Sequence, residues 1–210
     1  SRDANAEFER LKQEQAEYTL EKRSVTIQVD YPEISYNYNA STKYTINDIK
    51  ELFGATVVYE DENGQPVVIS GADVDLIFIS RDADDEYVMP ENPSEFSVAG
   101  NYAFEIVLDS ETASIYMFDD TVYVNFVINK INPTLGDLGL TVEYGNTLGT
   151  IVLPRICDGT LTLEGKWLNQ QVTAPVGSTI TDLTANYVCT GNANGANNYN
   201  NCVIKGISAT

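Results

Sequence analysis

The chain has 210 residues, 31 acidic and 12 basic, and its formal net charge is −19. This charge repels nucleic-acid phosphates and anionic membrane surfaces, so we expect neither as a partner. The absence of histidine excludes histidine-dependent nucleophilic triads and histidine-ligated zinc, iron and copper sites. No run of about 18 apolar residues occurs, so we also expect no insertion into a membrane.

The first 23 residues are predicted to form a helix or linker. Phe8, Leu11 and Tyr18 recur at heptad-like spacing on a background of Glu, Lys, Gln and Ala. This apolar stripe is thin, and a coiled-coil stalk needs a longer repeat. We expect a linker or docking helix over 3–22 rather than a dimerisation element, and a monomeric chain.

From Ser24 onward the apolar residues alternate with polar ones, which is typical of strands with one face on a core. A short helix is predicted over Asn47–Phe53, with Asn47 or Asp48 as its cap and Gly54 as its stop. Asn63-Gly64 predicts a hairpin between Ala55–Glu60 and Gln65–Ser70. Further strands are expected at Val74–Ser80, Asn101–Asp109 and Thr121–Lys130.

Pro133 lies directly after the last of these strands and marks a predicted domain boundary. The following strands are shorter and are expected at Leu140–Tyr144, Thr160–Leu163, Thr184–Cys189 and Cys202–Ile207. We therefore predict an all-β fold of two tandem immunoglobulin-like β-sandwich domains, 24–132 and 133–210, after the N-terminal helix or linker 1–23.

A tyrosine stands two residues before a predicted core position in each half of the chain. Tyr102 precedes Phe104, and Tyr187 precedes Cys189. In immunoglobulin-type sandwiches such a tyrosine buries its ring while its hydroxyl bonds back to the backbone. The placement before the final hairpin of each half indicates a repeat rather than a coincidence.

Residues 140–202 contain an ordered series of short motifs. They are Tyr144-Gly145-Asn146-Thr147-Leu148, Leu153-Pro154, Gly165-Lys166-Trp167, Val176-Gly177, Ala185-Asn186-Tyr187 and Asn197-Asn198-Tyr199-Asn200. In order and approximate spacing the series resembles an immunoglobulin-like repeat of large bacterial surface proteins and adhesins. The family's long terminal valine strand is not matched, and the three cysteines are not part of its pattern.

The resemblance implies an extracellular, bacterial cell-surface location and no catalytic residues. It favours a non-catalytic module with an adhesion or spacer role in a larger protein, whose partners would be host glycans or cell-surface proteins. The alternative is a carbohydrate-binding accessory region of a secreted enzyme. A hydrolase ranks third, because it would need two isolated carboxyl groups in a cleft.

Three aromatic residues are candidates for ligand contact. Tyr36 and Tyr38 lie on one face of a predicted strand, and Trp167 is the only tryptophan. Exposed rings could stack on sugars. The alternative is that Trp167 packs in the core and that the tyrosines pack across strands.

Cys157, Cys189 and Cys202 all lie in the last third of the chain. A disulfide between Cys189 and Cys202 is one interpretation, and it would place the chain in an oxidising compartment. The other is that all three are buried free thiols.

An acidic run formed by Asp82, Asp84, Asp85 and Glu86 follows a predicted strand. Calcium prefers several carboxylate and carbonyl oxygens in a flexible loop, and Asp73 and Asp75 could join such a site. The run lacks the glycine and final glutamate of an EF-hand loop. Solvated surface charge is therefore preferred, and no cofactor is expected.

Overall fold

The structure is a computed structural model that describes residues 2–17 and 21–210, with side chains described for 3–11 and 21–210. Strands contain 41% of the residues and helices 14%. The mostly β fold predicted from the two-residue alternation is therefore confirmed. Within the described ranges, no helix is long and apolar enough to cross a membrane.

The longest helix is N-terminal, as predicted. The helices are α1 (Arg2–Glu17), α2 (Ile46–Phe53), α3 (Ser110–Ala113) and α4 (Gly165–Leu168). In α1 the side chains of Phe8 and Leu11 are 58% and 47% exposed, so the thin apolar stripe is largely open to solvent. Tyr18, the third residue of the predicted stripe, lies outside the described residues.

Helix α2 begins and ends at residues that satisfy its free backbone groups. The Thr45 hydroxyl accepts a hydrogen bond from the Asp48 amide, and the Asp48 carboxylate accepts one from the Thr45 amide. Gly54 ends the helix in a left-handed conformation with φ 62°. The predicted stop is confirmed. The predicted cap is wrong by two or three residues, because Asp48 is the partner of the cap rather than the cap itself.

The strands before Pro133 are short except for three. They are β1 (Arg23–Ser24), β2 (Thr26–Val29), β3 (Glu33–Asn37), β4 (Tyr44–Thr45), β5 (Ala55–Glu60), β6 (Pro66–Val68), β7 (Val74–Asp82), β8 (Glu95–Phe96), β9 (Gly100–Leu108), β10 (Tyr116–Met117) and β11 (Val122–Asn129). The predicted hairpin is confirmed as β5 and β6, which pair antiparallel. Its turn places Gly64 at φ 75°.

A four-stranded sheet with the order β3-β11-β9-β7 carries the longest of these strands. Strand β3 runs parallel to β11, with Asn125 opposite Glu33 and Val127 opposite Ser35. The remaining strands form the sheet β2-β5-β6 and the pairs β1-β10 and β4-β8. One face of the four-stranded sheet is buried, as the alternation predicted, and Phe104 and Phe126 are fully buried on it.

After Pro133 the chain forms one antiparallel sheet of β12 (Gly159–Leu163), β13 (Ile180–Cys189) and β14 (Cys202–Ala209). Its core is a cluster of apolar side chains that includes Leu161, Leu183 and Ile207. The strand predicted at Leu140–Tyr144 is wrong. Leu140 forms an isolated β-bridge to Ala209. The pairing does not extend into a strand, because Ala209 is the last residue of β14.

The two tyrosines singled out by sequence are buried and bond to the backbone, as predicted. Tyr102 is 0% exposed and donates its hydroxyl hydrogen to the Val98 carbonyl at 2.5 Å. Tyr187 is 1% exposed and donates to the Cys157 carbonyl. The Tyr102 bond spans four residues, as in a tyrosine corner, whereas the Tyr187 bond spans thirty and joins β13 to the segment before β12.

By its contacts the chain forms two compact units, each built from separate segments. The first comprises Ser1–Asp30, Ala55–Asp75 and Ile106–Val122, and the second comprises Tyr31–Gly54, Leu76–Glu105 and Tyr123–Thr210. The second unit therefore contains residues from both sides of Pro133. The domain division 24–132 and 133–210 stays a prediction.

Candidate functional site

The acidic run does not form a single set of ligands. The Asp84 carboxylate contacts the Lys130 ammonium, whereas the Asp85 carboxylate is turned to Arg81. Over the described ranges, no group of three or more Asp, Glu, Cys or His side chains is arranged to hold a metal ion. At the more distant candidate, Asp73, the carboxylate accepts a hydrogen bond from the Val74 amide.

Arg81 and Asp85, here called the clamp, form a buried ion pair. The guanidinium donates to both carboxylate oxygens, with Nη1–Oδ1 at 2.6 Å and Nη2–Oδ2 at 2.8 Å. The two side chains are only 5% and 1% exposed. A bidentate pair of this kind is among the stronger charge-assisted contacts, and burial protects it from screening by salt. Arg81 also donates to the Ala99 carbonyl at 2.6 Å.

The clamp holds a segment from the far end of the chain. The Asn197 amide donates to Asp85 Oδ2 at 3.0 Å, across 112 residues of sequence. Next to it, Asn198 is 2% exposed and accepts from the Ala99 amide through Oδ1 at 2.8 Å. The backbone of this C-terminal segment also pairs with Ile131. Residues on the two sides of Pro133 are therefore joined by buried polar contacts within the second unit.

Electrostatics keep the clamp charged. The hydrogen bonds from Arg81 lower the pKa of Asp85 to about 2, against the opposing effect of burial, and the Asn197 amide adds to the lowering. Burial raises the pKa of the neighbouring Tyr102 hydroxyl to about 12. Arg81 Nε is buried without a hydrogen-bond partner among the described residues. A neutral tyrosine and a permanent ion pair are typical of structural support rather than of proton transfer.

The pKa of Asp85 makes acid sensitivity a testable property of the clamp. The pKa of Asp85 in the folded state lies below its unfolded value of about 3.9. The ionised carboxylate therefore contributes fully to the free energy of unfolding above about pH 3.9, and this contribution is lost as the pH falls towards about 2. We expect the free energy of unfolding of the wild type to fall more steeply between pH 4 and 2 than that of Asp85→Asn. Urea unfolding at several pH values measures both slopes, and equal slopes would contradict this role.

The three candidate ligand-contact aromatics are occupied by contacts within the protein. The Tyr36 ring is 40% exposed but stacks on Tyr44, with ring centres 5.7 Å apart and an interplanar angle of 24°. The Tyr38 ring meets Tyr199 edge-on at 5.6 Å. Although the two tyrosines stand two residues apart, they do not form an open platform, and their role as ligand contacts stays a prediction.

Trp167 lies on α4, half-buried against the C-terminal hydrophobic cluster. Its indole Nε1 donates to Thr184 Oγ1 at 2.7 Å, and the Lys166 ammonium lies 5.2 Å from the ring centre. The indole therefore packs and forms a hydrogen bond within the fold, which agrees with core packing rather than with an open ring for ligand stacking.

The three cysteines are free, half-buried thiols in the structure. Cys202 lies opposite Tyr187 in the β13–β14 register, and Cys189 lies two residues further along β13. Diagonal neighbours of this kind are about 7–8 Å apart, which is longer than most disulfides allow between Cα atoms. The Cys189–Cys202 disulfide stays a prediction that would need the strand ends to move.

The open face of the four-stranded sheet carries a polar groove of about 400 Å³. Its outward side chains are Glu33, Ser35, Asn101, Asn125 and Val127, from β3, β9 and β11. Ser35 and Asn101 are exposed and Asn125 is half-buried, and none of the three side chains makes a hydrogen bond within the described part of the chain.

An exposed aromatic ring stands on the same sheet face. Tyr123 is 64% exposed and lies two residues before Asn125 on β11, so both side chains point outward. These residues were not predicted from the sequence, because outward polar positions on a strand have the same pattern as ordinary solvated surface. The parallel register of β3 on β11, which brings Glu33 and Ser35 to Asn125 and Val127, is not readable from sequence.

Two other cavities, of about 340 and 480 Å³, lie after Pro133. The smaller is lined by Val142–Tyr144, Val172 and Ala174–Ser178, and the larger by Leu135–Leu140 and the end of β14. Much of each lining comes from segments outside regular strands, where the backbone holds side chains less firmly than it does in a strand. The sheet-face groove presents its polar groups from strands and is the better candidate binding site.

No family model matches the chain, and no curated protein or solved structure is significantly similar to it. The bacterial surface-repeat resemblance therefore stands as a hypothesis from the motifs of residues 140–202 alone.

Proposed function

We propose that the chain is a non-catalytic module of a bacterial cell surface, with an adhesion or spacer role in a larger extracellular protein. As its finer fold we propose two tandem immunoglobulin-like sandwiches. The strand-rich architecture supports that fold, and so does Tyr102, whose hydroxyl bonds to the backbone four residues upstream as in a tyrosine corner.

The clamp is the observation that carries this proposal. It ties the Asn197 segment to the strand end at Arg81 through contacts that water barely reaches. A module that sets a distance or presents a binding face needs such resistance to bending at the junction of its parts. A catalytic site would instead leave its most perturbed carboxyl group accessible to a substrate.

The other shifted carboxyl groups point the same way. Hydrogen bonds to the carboxyl groups of Asp48, Asp84 and Asp85 lower the pKa of all three. Glycoside hydrolysis requires a general acid whose pKa is raised. This pattern supports a role in binding or spacing rather than in hydrolysis.

Surface location can be tested on intact cells of the bacterium that encodes the chain. Antibodies against the purified chain should label unpermeabilised cells as strongly as permeabilised ones, and brief external protease treatment should remove the signal. Labelling only after permeabilisation would overturn the proposed function. Simultaneous probing of a cytoplasmic protein controls for leakage.

A carbohydrate-binding accessory region of a secreted enzyme is the second candidate, because the polar groove suits glycan binding in either kind of parent protein. The two candidates differ in where the parent protein resides. If the antibodies detect the chain mainly in the culture medium, and the parent protein degrades glycans, the carbohydrate-binding accessory region would be favoured.

A further inference from the structure

We propose that the polar groove on the open face of the four-stranded sheet binds a short, neutral oligosaccharide. This inference rests on the proposed function and adds a ligand class and a location to its adhesion role. The groove is formed by Ser35, Asn101 and Asn125, with Glu33 at one side. The exposed ring of Tyr123 lies on the same face, two residues before Asn125 on β11.

The polar side chains of the groove match the hydroxyl groups of a sugar. An asparagine amide offers two donors and an acceptor, and a serine hydroxyl both donates and accepts. Asn101, Asn125 and Ser35 come from three neighbouring strands, so the backbone fixes their spacing. A sugar with adjacent hydroxyl groups could satisfy several of them at once.

The aromatic and apolar parts of the surface match the other side of a sugar ring. Tyr123 presents a ring that is 64% exposed, and Val127 lines the groove on the same face. The flat C–H face of a pyranose packs well on such surfaces, while the tyrosine hydroxyl keeps a polar end in water. The volume of about 400 Å³ lies within the range of about 300–1,000 Å³ typical of small-ligand sites.

Charge selects neutral sugars over acidic ones. Glu33 stands in the groove, and the whole chain carries a formal net charge of −19. Like charges brought together at a binding surface reduce affinity, so sialylated or sulfated glycans would be rejected. A neutral chain of hexoses or N-acetylhexosamines has the matching chemistry.

The test is a glycan array that holds neutral hexose and N-acetylhexosamine oligosaccharides beside their sialylated and sulfated counterparts. The strongest neutral binder is then titrated by calorimetry against the wild type, Asn125→Ala and Tyr123→Ala. We expect saturable binding to neutral glycans and an affinity at least about tenfold weaker in each variant. Tyr144→Ala is the matched control, because Tyr144 is 65% exposed and lies outside the groove.

Each other outcome overturns the inference in a distinguishable way. Binding that Asn125→Ala and Tyr123→Ala leave unchanged would place the ligand elsewhere, and preference for acidic glycans would reject the ligand class. A blank array would reject glycan binding, while surface labelling of intact cells would then still support a spacer. Unchanged near-ultraviolet circular dichroism must first show that each variant is folded.

Discussion

Replacing Asp85 with alanine is expected to lower the free energy of unfolding by about 3–5 kcal/mol. The change leaves the Arg81 guanidinium with only 5% of its side chain exposed and no opposite charge beside it. It also removes the acceptor for the Asn197 amide. Urea unfolding at neutral pH measures the loss directly.

The neighbouring acid gives a matched control. Asp84 also forms an ion pair, with Lys130, but its side chain is 76% exposed. Exposed pairs contribute at most about 1 kcal/mol, so Asp84→Ala should change little. Similar losses from the two variants would mean that the clamp is no more important than ordinary surface charge.

Gly159→Ala is expected to destabilise the protein by about 2–3 kcal/mol, the second-largest effect. A Cβ at this position would lie 2.4 Å from the Tyr187 ring and 2.5 Å from the Val188 carbonyl oxygen. The backbone oxygen lies on the paired strand β13 and cannot move without disturbing the ladder. The Tyr187 ring would have to shift, and its bond to the Cys157 carbonyl would be lost.

Gly136→Ala is the corresponding control for the loss of glycine flexibility. A Cβ added at Gly136 meets no atom within 4 Å. The substitution should therefore be neutral or slightly stabilising, because it reduces the entropy of the unfolded chain. Thermal unfolding of both variants beside the wild type gives the comparison, and an unperturbed Gly159→Ala would contradict the close packing of Tyr187.

Local patterns predicted the parts of the fold that depend on neighbours in sequence. The alternation that buries Phe104 and Phe126, the hairpin at Gly64 and the Gly54 helix stop are all short-range signals. The buried tyrosines were predicted because a tyrosine corner has a fixed spacing to the core residue after it. The Thr45 cap was missed because several polar residues in a row are each acceptable caps.

Contacts between distant residues could not be predicted in the same way. Asp85 belongs to an acidic run that is typical of solvated loops, but its carboxylate is buried and accepts a hydrogen bond from Asn197, 112 residues away. Sequence shows the charge of a residue but not the burial of its carboxylate. The groove could not be predicted for a related reason. Asn101 and Asn125 are neighbours only because β9 and β11 lie side by side in the folded sheet.

A comparison of two unfolding probes tests most directly whether the clamp makes one body of the residues on either side of Pro133. Trp167 is the only tryptophan, so its fluorescence in urea reports on the C-terminal cluster. Hydrogen exchange of the Tyr102, Phe104 and Phe126 amides reports on β9 and β11. The two probes should report one unfolding transition with the same free energy of unfolding. Asp85→Ala should lower that free energy by the same amount at both probes. Two separate transitions, with Trp167 unaffected by the Asp85 change, would contradict a rigid junction and with it the structural basis for a spacer.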